Sequence, residues 1–326
     1  MSIKKFLDPK NDFAFKKIFG NEKNKGILIS FLNDIFSLSS GEKIKDVTFL
    51  NNILDPDTQA KKQSIVDVLC IDETGTQYIV EMQVARSKGF EKRAQYYAAK
   101  AYISQMHAGD AYHELKEVIF LAITDFDMFS EKQGYISHHV ILDKNSFEHN
   151  LKDFSFSFIE LPKFNKTISE LKTNIDKWIY FFKYAPEITD EELGRAVGKN
   201  SAISMAYEVI NRYYWSDKEI NTYEKIKKIE MDNKAVMEAA LDDKFDEGKA
   251  IGLEQGRVQG LEQGRVQGIE QGRVQGLVEG ESKGRKNTLR DVAKKLLAAG
   301  MSSDQIVEMI EIDKEDLAKI NTRDES

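Results

Sequence analysis

Hydrophobic and polar positions in the first half of the chain follow two different spacings. Apolar residues at three- and four-residue spacing predict helices at about residues 12–20, 24–36 and 90–107. Runs rich in β-branched and aromatic residues predict strands, at about 47–54, 65–71, 78–84, 118–124, 139–142 and 154–161. The interleaving of the two kinds of segment predicts an α/β fold.

Carboxylates interrupt two neighbouring strands at positions where apolar residues would be expected. Asp67 and Glu81 lie in the runs that flank a turn at residues 72–76. If that turn is centred on Thr74, with Gly75 in a left-handed conformation, the two acids lie directly opposite each other on one face. Such a pair costs free energy unless it is neutralised, and an oxygen-binding divalent metal ion is the simplest neutraliser. The alternative is two unrelated acids on a solvated strand face.

Three motifs, in order along the chain, resemble a known family. Asp67…Glu81-Met82-Gln83 is similar to the Asp…Glu-x-Lys signature of the PD-(D/E)XK phosphodiesterases, with Gln in the Lys position. Together with residues 8–20 and Arg93-x-x-x-Tyr97, it resembles the recombination-promoting (Rpn) nucleases, also described as PD-(D/E)XK nuclease family transposases. The resemblance implies a restriction-endonuclease-like core, a central mixed sheet flanked by helices, at residues 1–165. It also implies a metal-dependent DNA endonuclease that acts in mobile-DNA processing or in defence against foreign DNA.

The resemblance further implies roles for individual residues. Mg²⁺, or alternatively Mn²⁺ or Ca²⁺, would be held by two side chains and one backbone group: Asp67, Glu81 and the backbone carbonyl of Met82. Gln83 would orient the attacking water. Asp12, on a predicted helix, would be an additional ligand or would organise the other ligands, although a surface helix acid is an equally open interpretation.

Gln83 departs from the family pattern in a way that matters for the chemistry. A lysine supplies a positive charge near the attacking water, whereas an amide can only donate and accept hydrogen bonds. Lys62, Lys88 and Arg93 are all candidates for the missing charge, and the sequence does not choose among them. Asp57, after Pro56, is also at a permitted spacing from Glu81, but we prefer Asp67 because the strand pattern places it opposite Glu81.

The net charge of −7 argues at first against a nucleic-acid partner. Basic residues are nevertheless concentrated near the proposed site. The candidates for contacts with double-stranded DNA are Lys16, Lys17, Lys88, Lys92, Arg93 and Tyr97. A solvated helical face explains the same charges equally well.

The second half of the chain is predicted to be helical throughout. A helical extension is predicted at 166–245, a repeat arm at 246–286 and a small helical module at 287–326. Within the arm, glycine recurs every fourth position in an eight-residue unit, Gly-Leu-Glu-Gln-Gly-Arg-Val-Gln. Each glycine costs an isolated helix about 1 kcal/mol relative to alanine. The arm is therefore either a helix that self-associates, which predicts a homo-oligomer, or a mobile spacer.

Composition limits the remaining possibilities. No apolar run approaches the roughly 18 residues that a membrane span needs, so we expect a cytoplasmic protein without a membrane partner. Cys70 is the only cysteine, which excludes disulfides within the chain. The alternative to a nuclease is a catalytically silent, oligomeric accessory protein that binds DNA or protein, or a scaffold whose main role is self-association.

Overall fold

The computed structural model describes residues 4–54, 64–131 and 134–321. The chain divides into two compact units, residues 1–237 and 238–326. The strands are β1 (Val47–Phe49), β2 (Ile53–Leu54), β3 (Ser64–Ile65), β4 (Val68–Asp72), β5 (Gln77–Gln83), β6 (Val118–Thr124), β7 (Ile136–Ile141) and β8 (Leu151–Glu160). The α-helices are α1 (Asp12–Phe19), α2 (Lys25–Ile35), α3 (Phe90–Ile103), α4 (Asn174–Tyr184), α5 (Asp190–Val197), α6 (Ser201–Val209), α7 (Asp217–Ala298), α8 (Ser303–Ile310) and α9 (Lys314–Asn321).

A six-stranded mixed sheet forms the centre of the first unit, in the order β1-β4-β5-β6-β8-β7. The strands β1, β4 and β5 pair antiparallel, whereas β5, β6 and β8 pair parallel and β7 closes the edge antiparallel to β8. Helices cover both faces, so the predicted α/β class and the restriction-endonuclease-like architecture are confirmed.

Alternation along the strands gives each face of the sheet its own core. Cys70, Val80 and Met82 contribute to the cluster that packs under α1, α2, α4 and α6. Leu69 and Ile79 point to the opposite face, where they pack against α3. Residues of odd number at the start of β4 and the end of β5 therefore face α3.

The N-terminal segment and α1 are held by elements beyond residue 165. The Leu7 amide donates to the Ile210 carbonyl at 2.9 Å. On the inner face of α1, Phe19 stacks on Phe182, with ring centroids 5.7 Å apart. On its outer side, the Lys17 ammonium lies 2.6 Å from the Glu219 carboxylate at the start of α7. The placement of α1 therefore depends on the helical extension.

The sequence predicted one continuous strand at residues 65–71, and this prediction is wrong, because the segment forms the two short strands β3 and β4. The strand is interrupted at Val66 and Asp67, so that β3 pairs with β2 while β4 pairs with β1 and β5. The Val66 amide donates to the Asn52 carbonyl, and its side chain is fully buried, which turns the backbone between the two short strands. Asp67 consequently sits at a bend immediately before β4.

The second unit is helical, as the sequence predicted. All ten repeat glycines lie within α7, and a Cβ built on any of them would meet no heavy atom within 4 Å. Arginine pairs with the glutamate three residues earlier in each of three repeats, for example Arg257 with Glu254 at 2.8 Å. The C-terminal helices pack around Ala293 and Ile306. No helix in the described ranges is both long and apolar enough to cross a membrane.

Candidate active site

The hairpin register brings the two acids of the motif together. Val68 pairs with Val80, and the same register continued by one residue puts Asp67 opposite Glu81. The Asp67 amide donates to Oε1 of Glu81 at 3.3 Å. Gly75 in the connecting turn has φ +96°, the positive value on which the prediction depended. An added Cβ there would come within 2.9 Å of a Lys116 side-chain carbon, so the Lys116 side chain would have to move to admit any other residue.

Glu81 is buried and Asp67 is largely shielded from water, which disfavours the charged form of both carboxylates. The Glu81 residue is only 3 % exposed and the Asp67 side chain 15 %. The pKa of Glu81 is raised above its ordinary value, mainly by burial and secondly by the negative charge of Asp67. Burial also raises the pKa of Asp67, although the Met82 amide donates to its Oδ2 at 2.9 Å and the nearby charge of Lys16 opposes the shift. The pair therefore holds negative charge at a free-energy cost that a bound cation would remove.

Gln83 shares the face of Glu81, as strand alternation requires. Its Nε2 donates to Oε2 of Glu81 at 3.2 Å. The Gln83 carbonyl accepts from the Asp125 amide at 2.9 Å, which anchors the end of β5 to the segment after β6. The amide side chain is thus positioned beside the acid pair, but it brings no charge.

Helix α1 brings two further charged groups to the acids. Asn11 caps the helix, because its side-chain oxygen accepts from the amides of Phe13 and Ala14. One turn apart on this helix, Asp12 and Lys16 form an ion pair with 2.6 Å between Nζ and Oδ1. The same Lys16 ammonium lies 3.4 Å from Oδ1 of Asp67. The N-terminal motif and the hairpin motif therefore meet in space.

The residues present suit a hard divalent cation by their chemistry. Asp67 and Glu81 offer carboxylate oxygens, the donors that Mg²⁺ and Ca²⁺ prefer, and the backbone carbonyl of Met82 is adjacent in sequence. The acids already attract one cation, because the Lys16 ammonium lies 3.4 Å from Oδ1 of Asp67, and a metal ion at Asp67 would compete with it. Among the described residues, however, no group of three or more Asp, Glu, His or Cys side chains is arranged to hold a metal ion.

A basic cleft of about 470 Å³ opens at the start of α3, the helix that faces the acid pair. Its lining combines cationic, aromatic and small residues: Ser64, Ser87, Lys88, Gly89, Lys92, Arg93, Tyr96 and Tyr97. Arg93 lies 4.8 Å from the centroid of the Phe90 ring, and its Nε is buried without a hydrogen-bond partner. The structure thus gathers four of the six predicted DNA-contact residues into one cleft.

The other two predicted DNA-contact residues lie elsewhere. Lys16 contacts Asp12 and Asp67, whereas Lys17 is directed towards Glu219 and the face of Trp215, whose centroid lies 4.1 Å from its Nζ. The proximity of Lys16 to the acid pair was missed from the sequence, although its four-residue spacing from Asp12 was a readable signal for a pair on one helix face.

Two residues that the sequence offered for this site lie outside the described residues. Lys62, considered as a source of the missing charge, lies outside the described residues. Asp57, the alternative to Asp67, belongs to the same stretch, residues 55–63. Of the acids in the described ranges, Asp67 has the register that the motif needs.

Comparison with known proteins agrees with this geometry. A family model described as PD-(D/E)XK nuclease family transposase matches residues 9–240, a range that includes α1, the hairpin and α3. No curated protein and no solved structure matches the chain significantly. The match covers more than two thirds of the 326 residues and includes both acids of the motif. The chain therefore belongs to the PD-(D/E)XK nuclease family transposases.

Proposed function

We propose that this protein is a metal-dependent DNA endonuclease of the recombination-promoting type, which acts on double-stranded DNA in the cytoplasm. The observation that carries the proposal is the buried pair of Asp67 and Glu81, opposite each other in the hairpin register. Two buried carboxylates have little structural reason to face each other, whereas a cation-dependent hydrolase needs such a pair. Membership of a nuclease family supports the same reaction.

Each residue of the site has a role in this proposal. Asp67, Glu81 and the Met82 carbonyl would hold a divalent ion, preferably Mg²⁺, which stabilises the charge that develops on the phosphate. Gln83, held by Glu81, would orient the attacking water through its amide. Asp12 would hold or organise the ligands through its pair with Lys16. Hydrolysis adds one water: its hydroxyl oxygen bonds to phosphorus as the P–O bond to the sugar breaks, and the leaving sugar oxygen gains a proton.

The cleft at the start of α3 is the proposed path of the DNA backbone. Lys88, Lys92 and Arg93 would neutralise phosphates, and Tyr97 would support the sugar or phosphate beside them. These contacts do not depend on base identity, so they predict affinity for duplex DNA that falls with salt concentration.

Plasmid nicking tests the proposal directly. The native protein and the isosteric variants Asp67→Asn and Glu81→Gln would be purified identically and compared with Mg²⁺, Mn²⁺ or Ca²⁺. We expect nicking by the native protein in Mg²⁺ or Mn²⁺, and a loss of at least about 100-fold in both variants. Equal nicking by all three proteins would identify a contaminating nuclease and refute the assignment.

A second function, self-association through the repeat arm, is favoured by a separate observation. Between residues 251 and 278 the arm exposes nine aliphatic side chains, each 49–67 % accessible. Burying such a surface against other copies would offset the cost of its glycines. This would also suit the alternative of a catalytically silent, oligomeric accessory. Deletion of residues 248–284 together with measurement of mass in solution decides the matter: a native monomer would rule out the oligomer.

A further inference from the structure

The motif of this chain lacks the cation that the related Glu-x-Lys motif carries on its strand. Gln83 stands at that position, and its amide is hydrogen-bonded back to Glu81 at 3.2 Å. No charge from β5 therefore offsets the two buried acids or a phosphate brought to them. Chemistry on a phosphodiester beside Asp67 and Glu81 would need positive charge from another element.

Lys16 meets this need by its position. It lies in the second turn of α1, and its ammonium contacts Asp12 at 2.6 Å and Asp67 at 3.4 Å. The side chain is 34 % exposed, so a bound phosphate or water can reach it. The ammonium therefore brings a positive charge to Asp67 from outside the hairpin.

The other cations near the site are engaged differently. Lys10 pairs with Asp125 at 3.2 Å, and Lys17 pairs with Glu219 at 2.6 Å. Arg93 packs on the Phe90 ring, and its charge favours the ionised form of Glu81 from a distance, but within the described ranges no ion pair joins it to either acid of the motif. Among the described residues, Lys16 is the amine in contact with Asp67, one of the two acids of the pair.

We propose that Lys16, from the N-terminal helix, replaces the missing lysine of the motif and acts as the cation of the active site. Its N–H groups would donate to the attacking water or to a non-bridging phosphate oxygen and stay protonated throughout. This inference rests on the proposed nuclease function and assigns a role in that site to a residue outside the hairpin. It also explains why the DPKNDFAFK segment and the hairpin are brought together.

The sharpest test moves the positive charge from position 16 on α1 to position 83 on β5. Nicking rates would be compared for the native protein, Lys16→Ala, Lys16→Arg and the double variant Lys16→Ala/Gln83→Lys, with Lys23→Ala as an exposed-lysine control. We expect Lys16→Ala to lose about 100-fold in rate and Lys16→Arg to lose less. The double variant should recover at least about tenfold, because it restores the ammonium from the neighbouring strand. A native rate in Lys16→Ala, or no recovery in the double variant, would overturn the proposal.

Binding without divalent ions separates this role from a simple phosphate contact. In EDTA, the affinity of Lys16→Ala for a labelled duplex should stay within about threefold of native, because most backbone contacts lie in the α3 cleft. A loss of affinity as large as the loss of rate would show that Lys16 only binds DNA, and would overturn the assignment.

A third measurement decides the role of Lys16 even if the native protein does not cleave DNA, the result that would refute the nuclease function itself. Thermal unfolding would be monitored while Mn²⁺ is titrated into native protein and Lys16→Ala. Because the ammonium competes with a metal ion for Asp67, its removal should lower the half-saturating Mn²⁺ concentration at least about threefold. Equal titrations would show that Lys16 does not contribute charge to the acid pair, and the proposal would fail.

Discussion

Replacement of Glu81 by glutamine should stabilise the protein while it destroys the site. At a Cβ separation of roughly 5 Å, two facing negative charges repel by about 3 kcal/mol at an effective dielectric constant near 20. The native carboxylate accepts from the Asp67 amide and from Gln83, and a glutamine oxygen can keep only one of these bonds, at a cost of about 1 kcal/mol. The net expectation for Glu81→Gln is a gain of about 2 kcal/mol in the free energy of unfolding.

The gain should depend on pH in a defined direction. Because the pKa of Glu81 is raised in the folded state, the unfolded chain ionises first as the pH increases. The native protein therefore loses stability as the pH rises through the folded-state pKa of Glu81, and the variant does not. Below the ordinary pKa of a glutamate, where Glu81 is protonated in both states, the advantage of the variant should disappear.

Thermal unfolding in EDTA at pH 8 and at pH 4 measures both effects. For a unit of this size, 2 kcal/mol corresponds to a midpoint about 4–8 °C higher for Glu81→Gln at pH 8. Adding Mg²⁺ at 100 times its dissociation constant should stabilise the native protein by about 2.7 kcal/mol and the variant much less. Glu114→Gln, an exposed glutamate, is the control. A variant no more stable than native in EDTA at pH 8 would refute the reasoning.

Three further outcomes are expected. The Asp176 side chain is 1 % exposed and forms an ion pair with Lys166. Burial alone would raise the pKa of Asp176, but the hydrogen bond from Lys166 and further donors outweigh burial and lower this pKa to about 2. Asp176→Asn should therefore cost about 1–3 kcal/mol in urea unfolding at pH 7, and the cost should vanish as the pH falls from 4 to 2. In the double variant Gly260→Ala/Gly264→Ala, the added methyl groups would have no heavy atom within 4 Å. Because alanine favours a helix more than glycine does, the thermal midpoint of helical circular dichroism should rise; a lower midpoint would reveal packing against the glycines. Arg93→Ala should reduce the salt dependence of duplex binding by about one ion, and an unchanged slope would exclude a phosphate contact.

Local pattern was enough to predict much of the fold. The register of the hairpin could be predicted from a turn centred on Thr74 and a glycine at position 75, because both are properties of adjacent residues. The break before β4 could not be predicted, since it depends on Val66 hydrogen-bonding to Asn52 in a different segment. Short strands whose partners lie outside the hairpin are not distinguishable from one continuous strand by composition.

The candidate site, like the fold, could be predicted from the sequence only in part. The facing of Asp67 and Glu81 is a matter of strand alternation, whereas the contact of Lys16 with Asp67 joins residues 51 positions apart. That contact requires α1 to pack at the start of β4, and its position is set by aromatic packing on Phe182 and by the pair with Glu219. Sequence showed that Lys16 is basic and on a helix, but only tertiary packing decides which acids it meets.

One aromatic cluster joins α1 and α2 to α4, beyond residue 165. Phe15, Phe19 and Phe31 are fully buried, and they pack on Trp178 and Phe182 of α4. A stop codon after residue 165 would leave these three phenylalanines facing water with their partners gone. We therefore expect gene fragments that end at the last strand to aggregate instead of forming a smaller folded protein.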